Sequence, residues 1–226
     1  MVSTRIKKVV ILGASGASLD ILSIIEDINQ YNNEKIEFIG FLEDNLEKVT
    51  KENKKFIIGS FKDKINVKDI NYITAFGNEN NFYFRDKIIK KLEIPLKKFT
   101  NIIHPNSLIH KSSKIGVGNV IHALVTISRN TKLGNHCVIL PKSTLSHDSV
   151  VGSYTIISTN VVISGFTKIG NLCYLGAGCI LRDRINIESK TLIGMGSIIL
   201  RNTEKESIYV GNPGKLLRKI NINKNN

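Results

Sequence analysis

The chain has 226 residues, 42% of them hydrophobic, enough for a sizeable core in one or two domains and too many for general disorder. No apolar run approaches the roughly 18 residues of a membrane helix, and three cysteines without a CxxC pair exclude a disulfide-rich secreted class, so a cytoplasmic protein is expected. The net charge of +13 comes from lysines spread along the chain without a nucleic-acid module; a solvated basic surface or an anionic small-molecule substrate accounts for it better than nucleic acid.

The start, Met1 to Ala17, imitates a signal peptide, with Arg5, Lys7 and Lys8 ahead of Val9–Leu12. The apolar stretch is shorter than the ~7–15 residues of such a segment, and Gly13 follows at once, so it reads as a buried strand. Lys8–Ala14 is that first strand, and Ala17–Tyr31 follows as a helix with Ile21, Leu22, Ile24, Ile25 and Ile28 at helical spacing. Phe38–Leu42, Phe56–Ile58 and Tyr72–Phe76 read as further strands, and about Phe82 to Leu92 as a helix. Such alternation over residues 1–100 predicts a small parallel sheet with helices on its faces, an α/β domain.

Residues 101–226 follow another rule. From Ile103 to Ile199, every sixth residue is aliphatic, 17 positions without a break in phase. Four residues after each, the side chain is nearly always small or β-branched, as at Ser113, Thr131, Ser143, Ser149, Thr155, Thr167, Thr191 and Ser197. A period of six means one short strand and one turn per repeat, wound into a β-solenoid. Cys137, Cys173 and Cys179 occupy the small interior slot, which makes them core residues rather than nucleophiles or metal ligands. No metal is expected.

The unbroken hexads resemble the hexapeptide-repeat acyltransferases, and that resemblance implies a left-handed parallel β-helix. A small Rossmann-like domain ahead of the hexads is similar to one subfamily, the sialic acid O-acetyltransferases and the N-acetyltransferases of nucleotide-linked amino sugars. The landmarks run through nearly the whole chain: GASG at 13–16, GFLED at 40–44, FGN at 76–78, IHP at 103–105, HDSVVG at 147–152 and GNPGK at 211–215.

Acetyl transfer from a CoA thioester needs donor and acceptor oriented, a base for the acceptor proton and donors for the developing oxyanion. A neutral imidazole suits an amine acceptor. His104, His110 and His122 follow core positions and should point out of the coil, and His136 sits at a corner. His147, also outward, has an acidic neighbour in sequence, Asp148. The resemblance implies that His147 is the base. Adjacent residues on an extended segment diverge, so Asp148 must lie at a turn to orient the imidazole. The resemblance further implies acetyl-CoA in a groove between the subunits of a homotrimer, with the Gly165 N–H facing the thioester carbonyl. Gly176-Ala177 and Gly194-Met195-Gly196 would then lie along the pantetheine and adenine ends, and Lys215 and Arg218 near the CoA phosphates. Relatives often carry a second histidine nine residues after the base; here that position is Ile156. In the first domain, backbone amides of Gly13-Ala14-Ser15-Gly16 can cradle a phosphate; the resemblance implies that this loop holds a diphosphate, that Glu43-Asp44 reads a pyrimidine, and that Gly77-Asn78 closes the pocket. The expected activity is N-acetylation of a UDP- or dTDP-linked amino sugar, with O-acetylation of sialic acid or another sugar hydroxyl as the alternative.

Overall fold

A computed structural model describes residues 6–31, 35–63 and 69–221; Arg5, in the charged lead-in, lies outside them. The chain divides into two compact units. The first uses segments up to Phe76, with Lys87–Pro105 and Val117–Val120; the second uses Gly77–Asp86, Asn106–Gly116 and the chain from Ile121 onward.

The first unit is the expected α/β layer structure. Strands β1 (Ile6–Leu12), β2 (Lys35–Leu42), β3 (Ile57–Gly59) and β4 (Ile70–Thr74) form one parallel sheet in the order β3-β2-β1-β4. Val9, Val10, Ile11 and Leu12 are fully buried, as a central parallel strand covered on both faces requires. Helix α1 (Gly16–Tyr31) buries Ile21, Ile24, Ile25 and Ile28, one stripe at a period of 3.6. The fourth strand begins two residues earlier than its sequence pattern indicates, although Ala75 N still donates to Leu12 O.

The second unit is a parallel β-helix. Two-residue strands recur every six residues and pair with the strand 18 residues on, building three ladders. One runs through Lys114, Lys132, Val150, Lys168 and Asn186. A second runs through Leu108, Thr126, Thr144, Val162, Ile180 and Ile198, and a third through Val138, Ile156, Tyr174 and Leu192. The residue after each of these is the aliphatic core position: Ile139, Leu145, Ile157, Ile163, Leu175 and Ile193 are all fully buried.

Turning the chain between faces takes a left-handed backbone. Every sixth residue from Leu124 to Gly196 has φ between 55° and 68°. For a non-glycine residue this costs roughly 1–2 kcal/mol. A hydrogen bond back to the preceding coil offsets it, as from Tyr154 N to Asn135 O and from Phe166 N to His147 O.

The small interior slot has a second purpose that periodicity does not show. Ser113, Thr131, Ser143, Thr155 and Thr167 each donate a hydroxyl hydrogen bond to a carbonyl 15 residues on, in the next coil. Cys137 and Cys173 point their thiols at the equivalent carbonyls, Gly152 O and Glu188 O. Burial pushes the Cys137 thiol up to about 11 and those of Cys173 and Cys179 to about 12, so the three cysteines act as core residues. Glycine after the aliphatic residue is a matter of space: a Cβ on Gly134 would lie 2.6 Å from Ser153 N.

The three outward faces differ. The first presents lysines, while the second presents Leu108, Val162 and Ile180 to solvent. On the third, Phe82 and Tyr83 cover Ile156 together with Val138, Tyr174, Leu192 and Ile220. That packing explains a departure from the expected helix over Phe82–Leu92. Phe82–Phe84 is instead a 3-10 turn whose aromatic side chains lie on the β-helix, and helix α2 spans Arg85–Lys91. A terminal hairpin, Ser207–Gly211 with Gly214–Lys219, pairs onto the third ladder at Leu192–Ile193.

Candidate active site

Five histidines lie among the described residues, and their surroundings sort them. His104 Nε2 is 2.8 Å from Asp27 Oδ2 on α1, and the ring is nearly buried. It ties the strand Ile102–Ile103 to α1, a partnership invisible in sequence because the two residues are 77 apart. His110 Nδ1 lies 3.0 Å from the hydroxyl of Ser112 at the surface. His122 is buried. His136 is buried at its corner and stacked on Tyr154, with centroids 5.3 Å apart. Burial, and then the charge of nearby Arg85, lower its imidazole to about 4, so it stays neutral.

His147 is different. Its side chain is 45% exposed, and Nδ1 lies 2.9 Å from Asp148 Oδ2. Asp148 occupies a left-handed corner with φ of 58°, which is the turn the pair requires. Its other oxygen, Oδ1, accepts from Asn130 Nδ2 at 3.0 Å, one coil earlier in the same corner stack. These hydrogen bonds, from His147 first and then Asn130, hold the Asp148 carboxyl below the usual carboxylate range. A carboxylate can only accept, so Nδ1 is the donor of this hydrogen bond and Nε2 is the ring nitrogen that faces Gly165.

Gly165, one coil on from His147, lies against the imidazole. A Cβ there would sit 2.9 Å from Cε1 and 3.0 Å from Nε2 of His147, so only glycine leaves the ring its place. Among the described residues the Gly165 N–H makes no backbone hydrogen bond, while its carbonyl accepts from Arg184 N at 3.1 Å.

The residues expected along acetyl-CoA lie on another edge of the triangular coil. Gly178 and Gly196 are left-handed corners in a separate stack from Asp148 and Phe166, and Gly196 N donates to Ala177 O. Met195 is 81% exposed there. Gly176 and Gly194 follow core positions on the same edge; a Cβ on Gly176 would meet Met195 N at 2.6 Å. Lys215 and Arg218 lie on the exposed outer strand of the terminal hairpin. Ile156, nine residues after His147, is buried beneath Phe82 and Tyr83.

In the first unit the loop Gly13–Gly16 and the acidic pair come together. Glu43 bridges two backbone amides, Ala14 N at 3.1 Å and Asn45 N at 2.9 Å, so it shapes the loop directly. Asn53 Nδ2 donates to Ala14 O, and Ser15 Oγ to Ala75 O. Asp44 Oδ1 accepts from Phe61 N at 2.8 Å, and Asp44 stands in the wall of a cavity of about 870 Å³ with Phe61, Tyr72, Leu92 and Lys98. Gly77 and Asn78 belong to the second unit, where the Arg85 stem packs against Gly77 and Asn78 N donates to Asn81 Oδ1. Arg85, which no sequence motif marks, is fully buried, and its Nη1 donates to Tyr154 O at 2.9 Å. Among the described residues there is no group of three His, Cys, Asp or Glu side chains placed to hold a metal ion, and no helix is long and apolar enough to cross a membrane.

Comparison with known proteins agrees with this architecture. Residues 8–92 match the PglD N-terminal domain, and residues 101–212 match the GMPPB C-terminal domain. No curated protein sequence matches the chain. Among solved structures, the chain resembles the acetyltransferase domain of PglB from Neisseria gonorrhoeae, with 22% identity and a TM-score of 0.79 over 93% of this chain and 100% of that one. It also resembles WeeI from Acinetobacter baumannii (20%, TM-score 0.76, 94% and 100%). A third is GDP-perosamine N-acetyltransferase from Caulobacter crescentus in complex with CoA and GDP-perosamine (18%, TM-score 0.76, 94% and 97%). In fold and domain order, an α/β domain followed by a parallel β-helix, the chain is similar to these structures along nearly its whole length.

Proposed function

We propose that the protein is an acetyl-CoA-dependent N-acetyltransferase acting on the amino group of a nucleotide-linked amino sugar. The observation that carries this reading is the exposed His147–Asp148 pair on a corner of the β-helix, with the bare backbone of Gly165 against the imidazole. The likeness to a structure holding both CoA and GDP-perosamine supports the substrate class.

In this mechanism Asp148 holds the Nδ1 proton, and Nε2 accepts a proton from the sugar amine as its nitrogen attacks the thioester carbonyl carbon. The Gly165 N–H stabilises the oxyanion that forms. Collapse breaks the C–S bond, and the thiolate of CoA takes the proton back from Nε2, leaving the amide and free CoA. Glu43 shapes the loop Gly13–Gly16 for the diphosphate, and Asp44, at its cavity, reads the base of a uridine or thymidine nucleotide. The reading includes a homotrimer. His147 and Gly165 lie on one edge of the coil, and Ala177, Met195 and Gly196 on another, so a single extended ligand meets both sets when a second copy brings its edge alongside. Free, buried thiols are in keeping with a cytoplasmic setting.

The test is an acetylation assay with nucleotide-linked 4-amino sugars and acetyl-CoA. A product resistant to hydroxylamine is the expected amide. A hydroxylamine-labile ester would move the assignment to sugar O-acetylation, and no transfer to any amino or hydroxyl sugar would overturn it.

A further inference from the structure

Phe166 lies one coil beyond Asp148 in the same corner stack and stands perpendicular to the His147 imidazole, with an interplanar angle of 88° and centroids 5.2 Å apart. It is 41% exposed, so packing alone does not fix it. Arg184, a further coil along, places its guanidinium 4.4 Å from the Phe166 ring centroid, within the range of a cation–π contact. The Arg184 Nε in turn lies 3.6 Å from Asp183 Oδ2. With Asn130 on the far side of Asp148, one column of side chains runs along the corner: Asn130, Asp148, His147, Phe166 and Arg184.

From this column we infer that Phe166 is a positioning residue for His147, and that Arg184 holds Phe166 in place. The hydrogen bond to Asp148 anchors one atom of the imidazole and leaves the ring able to swing about that anchor. A perpendicular aromatic ring against it removes the swing and keeps the direction of Nε2 constant. Gly165 alone does not do this, because it offers space where a wall is needed. The inference rests on the acetyltransferase reading, in which misplacing a reacting group by about 1 Å costs about 10²-fold in rate.

Three variants test it. Phe166→Leu keeps an apolar side chain but removes the ring, Phe166→Tyr keeps the ring, and Arg184→Gln removes the cation. Phe166→Leu is expected to lower kcat about tenfold with both KM values within about twofold, Phe166→Tyr to retain at least about half of kcat, and Arg184→Gln to fall between them. In a His147→Ala background, Phe166→Leu should have no further effect, because it acts only through the imidazole. Independently of turnover, the Nδ1–H proton resonance of His147 in histidine-labelled protein should be sharp in the wild type and Phe166→Tyr and broadened or lost in Phe166→Leu. An unchanged kcat and resonance in Phe166→Leu would overturn the inference, as would an equal loss in the His147→Ala background. If the wild type transfers no acetyl group, the acetyltransferase reading fails, while the resonance still decides whether Phe166 holds the ring.

Discussion

Asp148 directly follows His147 in the chain, yet its Oδ2 lies 2.9 Å from His147 Nδ1, because Asp148 occupies a corner with φ of 58°. Along a strand the two side chains would point apart. The corner folds the carboxylate back onto the preceding residue, so two adjacent positions form an imidazole–carboxylate pair. His147→Ala is expected to lower turnover by ~10²–10⁴ with the fold intact, since the side chain lies outside the core. Asp148→Asn, which tolerates the same backbone, should cost at least about tenfold. Steady-state kinetics with melting temperatures checks both, and retention of more than about a third of the wild-type rate in His147→Ala would exclude it as the base.

The buried histidine gives a pH signature of another kind. His136 titrates at about 4 in the folded protein because burial, and then Arg85, disfavour its cation, whereas an unfolded chain takes up that proton near 6.5. Between these values the unfolded state binds more protons, so stability falls as pH drops from about 6.5 to about 4 and is flat in this respect below it. The full effect is at most about 3 kcal/mol. Urea unfolding at a series of pH values should show this slope in the wild type and a smaller one in His136→Asn; an identical slope in both would contradict the assignment.

Assembly is tested on the apolar ladder face. Leu108, Val162 and Ile180 are exposed on one flat side, at 69%, 37% and 40%. Light scattering at micromolar concentration should give about three times the chain mass of 25.2 kDa. Ile180→Asp is expected to lower that mass towards the monomer and to weaken acetyl-CoA binding with it. A wild-type monomer would remove the shared groove.

The proposed nucleotide recognition is tested at Asp44. Asp44→Ala should raise KM for a uridine- or thymidine-linked amino sugar by the equivalent of about 1–3 kcal/mol and leave KM for acetyl-CoA nearly unchanged. It should hardly affect a free amino sugar. A selective rise in the acetyl-CoA KM, or equal wild-type activity on free and nucleotide-linked sugar, would sink the assignment.

Much of this molecule is written in its periodicities. A six-residue aliphatic repeat cannot be satisfied by a helix or a flat strand, so Ile103 to Ile199 already specify a β-helix, and the phase alone places Cys137, Cys173 and Cys179 inside it. The His147–Asp148 pair is legible only in part: the two residues are neighbours, but the left-handed corner that folds the carboxylate back onto the ring is a fact of the structure. What the repeat leaves open is everything that depends on chain segments meeting from afar. His104 finds Asp27 across 77 residues, and Phe82 and Tyr83 leave a helix to cover Ile156. Arg85 buries its charge against the carbonyl of Tyr154, and Phe166 meets His147 across a coil. Local pattern sets which way each side chain leaves its own backbone, because that depends on dihedral angles. Which side chain it then meets is set by the stacking of coils and the packing of other segments onto them, and that is decided only when the whole chain has folded.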